Sequence, residues 1–562
     1  MKRKYFFILG AIICLAAGLR FPFLEHFPPS LYSDEVSQGY NAYSILRTGR
    51  DEYGTFLPIS FRSFGDWKPP LQTYLMIPTI AVFGLNAYGV RLPSAILGTL
   101  TVALTYFLTN ELLQFKLKSH SSVGSESNSE LISLLSAGLL AISPWHIMQS
   151  RSAMLVCIEL FFLTLAVLTF LKGLKNSGWW YVSCFAWVLA FYAYYGMRLI
   201  VPFFLLFLAV EFRKEIIRHI APAISTAALG FILLLPLLFA FINEPNVLLG
   251  RAKTVSIFYD KGVSLTTWDL ITQDGTTISP RLAQLFHNKP YAYALDITRR
   301  FFQHFDGRFL FLIGDTQLPF QIPAMGVLYF IDGLFLITGL VFLIKTNRKL
   351  FVFLLFWIFI SVIPAAFTFV TPAANRTFTM VIPLMILTSL GIAYGYKNLT
   401  TKIRLVGSLG LISVYLLSFG YFGFNYFLVL PKQHANWWHF GYKELYAYLG
   451  LLEPTANTIA ISAKASVPYI FLLFYEQIDP KIAQRQVHHN FELDEFGFEH
   501  VDSFKTYIFP RHFSWEKDGQ RLPNHTILVT TPREVVGSEA HQIKTIDYPN
   551  GETAFKIYRI EI

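Results

Sequence analysis

Runs of predominantly apolar residues, each near the roughly 20 needed to cross a hydrocarbon core, recur along most of this chain and leave few folds open to it. Spans are expected near 5–24, 88–113, 131–149, 152–172, 179–196, 198–212, 217–242, 324–344, 350–370, 377–396 and 403–428. In lipid every backbone polar group must be satisfied inside its own segment, so these runs predict an all-α polytopic bundle of about eleven membrane helices. Composition supports this. Of 562 residues 54% are hydrophobic and only 15% charged, against about a quarter charged in soluble domains. Disordered, coiled-coil and collagen-like chains are thereby excluded.

The net charge of +10 raises the question of nucleic acid, but residues 431–562 hold 13 Lys/Arg against 16 Asp/Glu, so the basic excess lies in the apolar part. There it marks topology. Lys2, Arg3 and Lys4; Lys116 and Lys118; Lys172 and Lys175; Arg213, Lys214 and Arg218; Lys345, Arg348 and Lys349; and Lys397, Lys402 and Arg404 fall on one side when the crossings alternate. This parity predicts a cytoplasmic N-terminus and an external C-terminus. No basic stripe with interleaved aromatics points to nucleic acid. Cys14, Cys157 and Cys184 all lie in apolar stretches and predict neither a disulfide framework nor a cysteine metal site.

Three regions are not plain spans. An external loop at 25–87 holds two short helical patterns, near 35–48 and 68–83, the second opening on prolines at its first turn. A second external loop covers 243–323, and a Ser-rich cytoplasmic linker covers Lys116–Glu130. Residues 1–428 thus read as the membrane domain and 429–562 as an extracytoplasmic α/β domain. In that tail the apolar runs Thr458–Ser462, Tyr507–Phe509 and Ile527–Thr530 alternate with a helical segment, Val467–Tyr475. The tail has no glycine-rich phosphate loop, and its expected role is accessory.

Charged groups gathered at one membrane face invite a functional reading. Ser33-Asp34-Glu35 follows the first span closely, and the two carboxylates are either a general base above the membrane or an ordinary helix cap. Asp66-Trp67-Lys68-Pro69-Pro70 sets an ammonium at headgroup height, for a lipid phosphate or as a snorkelling side chain. Arg91, Arg151, Arg198 and Arg376 stand at external span ends, where the positive-inside rule disfavours them. They form either an anion clamp or ion pairs with Asp34, Glu35 or Glu159. His146 sits near the same face.

These pieces in this order resemble a family. Asp34-Glu35, then Trp67-Lys68-Pro69-Pro70-Leu71, Phe83-Gly84 and Val90-Arg91-Leu92-Pro93-Ser94 with Gly98, are similar to the GT-C glycosyltransferases related to protein O-mannosyltransferases and the aminoarabinose transferase of lipid A. Ser143-Pro144-Trp145-His146, Ser150-Arg151-Ser152-Ala153, Tyr194-Tyr195-Gly196-Met197-Arg198, Gly314-Asp315 and Asn375-Arg376 extend the resemblance over about 1–430. It implies a polyprenyl-phosphate sugar donor, Asp34 as catalytic base with Glu35 beside it, and Lys68, Arg151, Arg198 and Arg376 on the donor phosphate. Relatives often carry an acidic residue four or five positions after the arginine matching Arg151. Here those positions are Leu155 and Val156, so Glu159 is the candidate second carboxylate, with His146 and Asp66 as further substrate-side groups. A divalent metal is possible; the residues name no ligand set for it.

The expected function is therefore an integral-membrane inverting glycosyltransferase of a plasma membrane, prokaryotic in type. It would act on a protein, glycolipid or cell-surface polysaccharide hydroxyl at the external face. The alternatives are a flippase of lipid-linked sugars, which would place polar broken helices at mid-membrane, and a non-catalytic scaffold, which leaves the external arginines unexplained.

Overall fold

The computed structural model describes residues 3–116, 126–259, 262–397, 400–464, 466–494, 497–511 and 513–561. Lys2, Lys118 and most of the Ser-rich linker lie outside the described residues. Six described helices are long and apolar enough to span a membrane: Ala87–Gln114, Val156–Gly173, Ile220–Asn243, Arg348–Ala366, Phe378–Tyr396 and Lys402–Gln433. A bent pair, Ser129–Ile142 and Pro144–Ser150, meets at 59° and makes a seventh candidate. The break falls at Ser143-Pro144, where the proline cannot donate to the preceding turn. The remaining four expected segments are also helical: Trp179–Ala193, Met197–Glu211 and Phe330–Thr346 are only 15 to 17 residues long, and Arg3–Arg20, at 18, carries Arg3, Lys4 and Arg20 at its ends. The chain is a helical multi-pass membrane protein.

The chain divides into two compact units that do not follow chain order. One comprises residues 1–20, 96–150 and 155–425 and holds most of the membrane helices. Small residues bring its helices together. A Cβ on Gly391 would meet the Phe335 carbonyl at 1.9 Å, and one on Gly339 would meet the Leu387 carbonyl at 2.1 Å, so helices Phe330–Thr346 and Val381–Lys397 touch backbone to backbone. The expected loop 243–323 is built in this unit from helices Asn246–Val255, Gly262–Asp274, Pro280–Phe286 and Lys289–Gln303.

The other unit comprises residues 21–95, 151–154 and 426–562. Where the sequence suggests a boundary at 428, residues 21–95 pack with the tail instead. Helix Ser33–Thr48, a hairpin of β1 (Phe61–Ser63) and β2 (Asp66–Lys68), and helix Leu71–Phe83 come from the loop. The tail supplies β3 (Thr458–Ile461), β4 (Val487–Asn490), β5 (His500–Phe504), β6 (Tyr507–Ile508), β7 (Thr526–Thr530), β8 (Ala540–Asp547) and β9 (Thr553–Ile560). These form one sheet in the order β4-β5-β6-β3-β7-β9-β8. Strand β3 runs parallel to β6 and β7, and the other pairs are antiparallel. Helix Pro468–Tyr475 is buried along nearly its whole length and joins the two parts of the unit. A Cβ on Gly39 would lie 2.9 Å from the Phe474 ring, and Val36, Tyr40, Met76, Phe471, Phe504 and Phe555 share one apolar core.

One expectation is corrected here. Lys68 does not open a helix. It ends β2, and the helix starts at Leu71 after Pro70. The hairpin turn is Phe64-Gly65, with φ of 56° and 84°; two positive φ values match the twist of a two-residue hairpin.

Candidate active site

Helix Ser33–Thr48 carries Asp34 and Glu35 in its first turn, where the exposed N–H groups favour negative charge. The adjacent carboxylates have opposite environments. Glu35 is fully buried: Oε1 accepts from Arg91 Nε at 3.0 Å and the Ala153 amide at 2.8 Å, and Oε2 from Arg91 Nη2 at 2.9 Å and the Tyr32 amide at 3.0 Å. Four contacts fill the lone-pair sites of a carboxylate, so Glu35 has no acceptor capacity left for a substrate proton. The geometry gives it a structural role in place of the catalytic one expected beside Asp34. Asp34 is instead 36% exposed, and its Oδ1 receives the Lys68 ammonium at 2.8 Å. Lys68 is 7% exposed, with the Phe64 ring 6.0 Å from Nζ. Asp66, two residues earlier in β2, is buried and accepts the Trp67 amide at 2.8 Å.

The four arginines at span ends find a compensation that the sequence does not display: backbone carbonyls. Arg91 Nη1 donates to the carbonyls of Leu24 and Pro28, both at 2.9 Å, and Nη2 to that of Ser30 at 2.5 Å. Arg151 donates to Pro22, Phe23 and Phe27 at 2.8, 3.1 and 3.3 Å, engages the Tyr426 hydroxyl and lies 5.6 Å from the Phe427 ring centre. Together they wrap residues 22–30, placing the loop that leads into Asp34. Arg151, proposed from the resemblance for phosphate, is thus 1% exposed and committed to that loop.

Arg198, Arg376, Glu159 and His146 lie in the other unit. Arg198 donates to the carbonyls of Val247 and Leu248 at 3.0 and 3.3 Å. Arg376 donates to Thr368 Oγ at 2.5 Å and to the Val370 carbonyl at 3.1 Å, and engages the Tyr194 side chain. Arg251, on helix Asn246–Val255, interacts electrostatically with both Arg376 and Tyr194. Two half-buried guanidinium groups near one tyrosine make a cationic group that sequence reading misses, because Arg251 lies in a loop of mixed composition. Buried Asp315 borders it; burial raises its carboxyl to about 6 against the opposing Gln317 and Ala374 amides and Arg376. His146 is fully buried, its Nδ1 2.7 Å from Arg20 Nη2, which makes it a structural acceptor rather than a substrate-orienting group. Glu159 is buried in helix Val156–Gly173, and its Oε2 has no hydrogen-bond partner among the described residues.

A further missed residue is His439. It adopts φ 51°, its ring lies 5.0 Å from that of Tyr32, and its Nε2 is sealed from solvent without a hydrogen-bond partner among the described residues. Burial pulls its pKa down to about 4 against the pull of Asp34, so a neutral imidazole accompanies Asp34 at neutral pH. Among the described residues no three His, Cys, Asp or Glu side chains gather as a metal site.

Residues 67–239 match the family described as dolichyl-phosphate-mannose-protein mannosyltransferase. No curated protein matches the sequence. Among solved structures, ArnT from Cupriavidus metallidurans bound to undecaprenyl phosphate is similar at a TM-score of 0.56 and 10% identity, covering 100% of this chain and 98% of that one. The archaeal oligosaccharyltransferase AglB from Archaeoglobus fulgidus, in complex with an inhibitory peptide and a dolichol-phosphate, aligns at a TM-score of 0.48 and 14% identity. That alignment covers 84% of this chain but only 64% of AglB. The first of these likenesses shows the fold: membrane helices with a C-terminal mixed sheet, as in ArnT.

Proposed function

We propose that this chain, whose residues 67–239 match a mannosyltransferase family, is a membrane glycosyltransferase that moves a sugar from a polyprenyl phosphate to an acceptor hydroxyl at the external membrane face. The observation that carries the reading is the unequal pair at the start of helix Ser33–Thr48: Glu35 is saturated and buried, while Asp34 keeps an exposed carboxylate beside a fixed ammonium. Asp34 is then the base. It takes the proton of the acceptor hydroxyl as that oxygen attacks the anomeric carbon, the bond from that carbon to the phosphate oxygen breaks, and polyprenyl phosphate departs. Attack opposite the leaving group inverts the anomeric centre. Negative charge grows on the phosphate as it leaves, so cations already fixed in place lower the barrier without reorganising. Lys68 serves this role, and Arg376 with Arg251, together with Arg198, is proposed as a second phosphate-holding group. Arg91 and Arg151 hold the loop that places Asp34. The mechanism routes no step through a metal. Eleven crossings with the N-terminus cytoplasmic would put residues 25–87 and 429–562 outside.

The test is consumption of undecaprenyl-phosphate-linked sugars by purified protein in nanodiscs, with an added acceptor pool from cell-envelope extract. Release of undecaprenyl phosphate by wild type but not by Asp34→Asn supports the reading. Equal release by both removes Asp34 as the base, and no release with any sugar overturns the reading.

A further inference from the structure

Resting on that reading, we infer that the C-terminal domain is a positioning element for Lys68: it grips the β1–β2 hairpin through Glu499 and so sets where the ammonium stands. A two-stranded hairpin with three residues in each strand is too small to hold its own shape, so whatever packs against it decides its position. Beside the Asp34–Lys68 pair itself, helix Ser33–Thr48 reaches the hairpin through Ser37 Oγ to Ser63 Oγ at 2.8 Å. The tail offers far more. Glu499 takes the Arg62 guanidinium in a bidentate pair, Nε to Oε2 at 2.9 Å and Nη2 to Oε1 at 2.5 Å, with the carboxylate 10% exposed. The Glu499 amide donates to the Phe64 carbonyl at 3.2 Å, extending backbone pairing onto the turn. At Gly65 the approach is so close that a Cβ would meet the Gly497 carbonyl at 3.0 Å and the Glu499 nitrogen at 3.2 Å. The Arg62 guanidinium also lies 4.2 Å from the Phe491 ring centre, and Phe491 stacks on His489, which stacks on Tyr53.

The grip is transmitted across the hairpin. Arg62 pairs with Trp67 and Phe61 with Lys68 in the strand register, and Ser60 Oγ donates to the Lys68 carbonyl at 3.1 Å. Phe64, seated 6.2 Å from the Tyr469 ring, stands below the ammonium. Lys68 therefore reaches Asp34 from a strand whose partner strand is fastened to Glu499. A bidentate arginine–carboxylate pair of this kind orients as well as attracts, because the planar fork admits one geometry.

A double-mutant cycle on the full-length protein tests this, read as affinity for undecaprenyl phosphate rather than as turnover. Arg62→Ala should weaken binding on the order of tenfold, a coupling typical of residues in one network. Added to Lys68→Ala it should weaken binding no further, since its effect runs through the ammonium. Arg62→Lys, which keeps the charge, should recover part of the loss. Glu499→Gln, a milder change, repeats the measurement should Arg62→Ala fail to fold. Multiplied losses in the cycle, or unchanged affinity in both Arg62→Ala and Glu499→Gln, overturn the inference and leave the proposed function standing. Absence of undecaprenyl phosphate binding by wild type overturns both.

Discussion

The Lys68 ammonium stands 2.8 Å from one carboxylate oxygen of Asp34, and the lysine is almost buried while the aspartate is open to solvent. A cation held this way tethers the carboxylate to a strand that does not belong to its own helix. Asp34→Asn should lower turnover by about two to four orders of magnitude, the usual worth of a positioned base, with undecaprenyl phosphate binding retained. Lys68→Ala should reduce binding and turnover together. Single-turnover kinetics beside a binding isotherm separates the two; turnover of Asp34→Asn within tenfold of wild type would falsify the assignment.

Glu35→Gln should act on folding. Both members of the Glu35–Arg91 pair are fully buried, and removing one charge strands the other, a change that costs about 3–5 kcal/mol in such pairs. A lowered thermal transition in detergent is the expected result, with the folded fraction still turning over. A stable variant that is inactive would mean that Glu35 does chemistry.

Arg376→Ala should weaken phosphate binding, and Arg376→Lys should restore it only in part, because Nη1 is taken by Thr368 and Val370 while the planar guanidinium offers further donors in a fixed geometry that an ammonium lacks. Full affinity in Arg376→Lys would point to charge alone as its contribution.

Glu52 predicts a pH response. It is buried, hydrogen-bonded to Asn41 at 2.9 Å, and burial raises its pKa to about 8. A carboxyl whose pKa is higher folded than unfolded stabilises the fold fully below the unfolded value near 4.5, and that contribution is lost as pH rises toward about 8. The histidines act oppositely. His439 and His489 are held down to about 4, so their contribution is present above about 6.5 and lost as pH falls. Between pH 6.5 and 8 the histidine contribution is already complete while that of Glu52 is still being lost, so Glu52→Gln should reduce the decline in thermal stability there. An unchanged slope would remove Glu52 as its source.

Reporter fusions examine the topology. A reporter after residue 562 should be reached from outside and one inserted at Lys345–Arg348 only from inside; labelling of both from the same side contradicts the proposed parity.

Much of the site was legible because position along the chain implies depth in a membrane: a carboxylate pair soon after an apolar span stands at the interface whatever the fold. Which carboxylate faces the core was not. Asp34 and Glu35 differ by about 100° around one helix, and Arg91, which claims Glu35, arrives from another segment of chain. The tail's inner strands β3 and β7 were readable as apolar runs, whereas β8 carries mostly exposed residues and shows no such run.

The sequence by itself determined the membrane helices, since hydrocarbon admits little else, and it determined that arginines at span ends need compensation. Only the tertiary structure decided what compensates them. Arg91, Arg151, Arg198 and Arg376 all donate to backbone carbonyls, groups every residue carries and no residue type announces. The union of the first loop with the tail was hidden for the same reason. The contact between Arg62 and Glu499 spans 437 residues, and its partners become neighbours only when the intervening chain has folded away from between them.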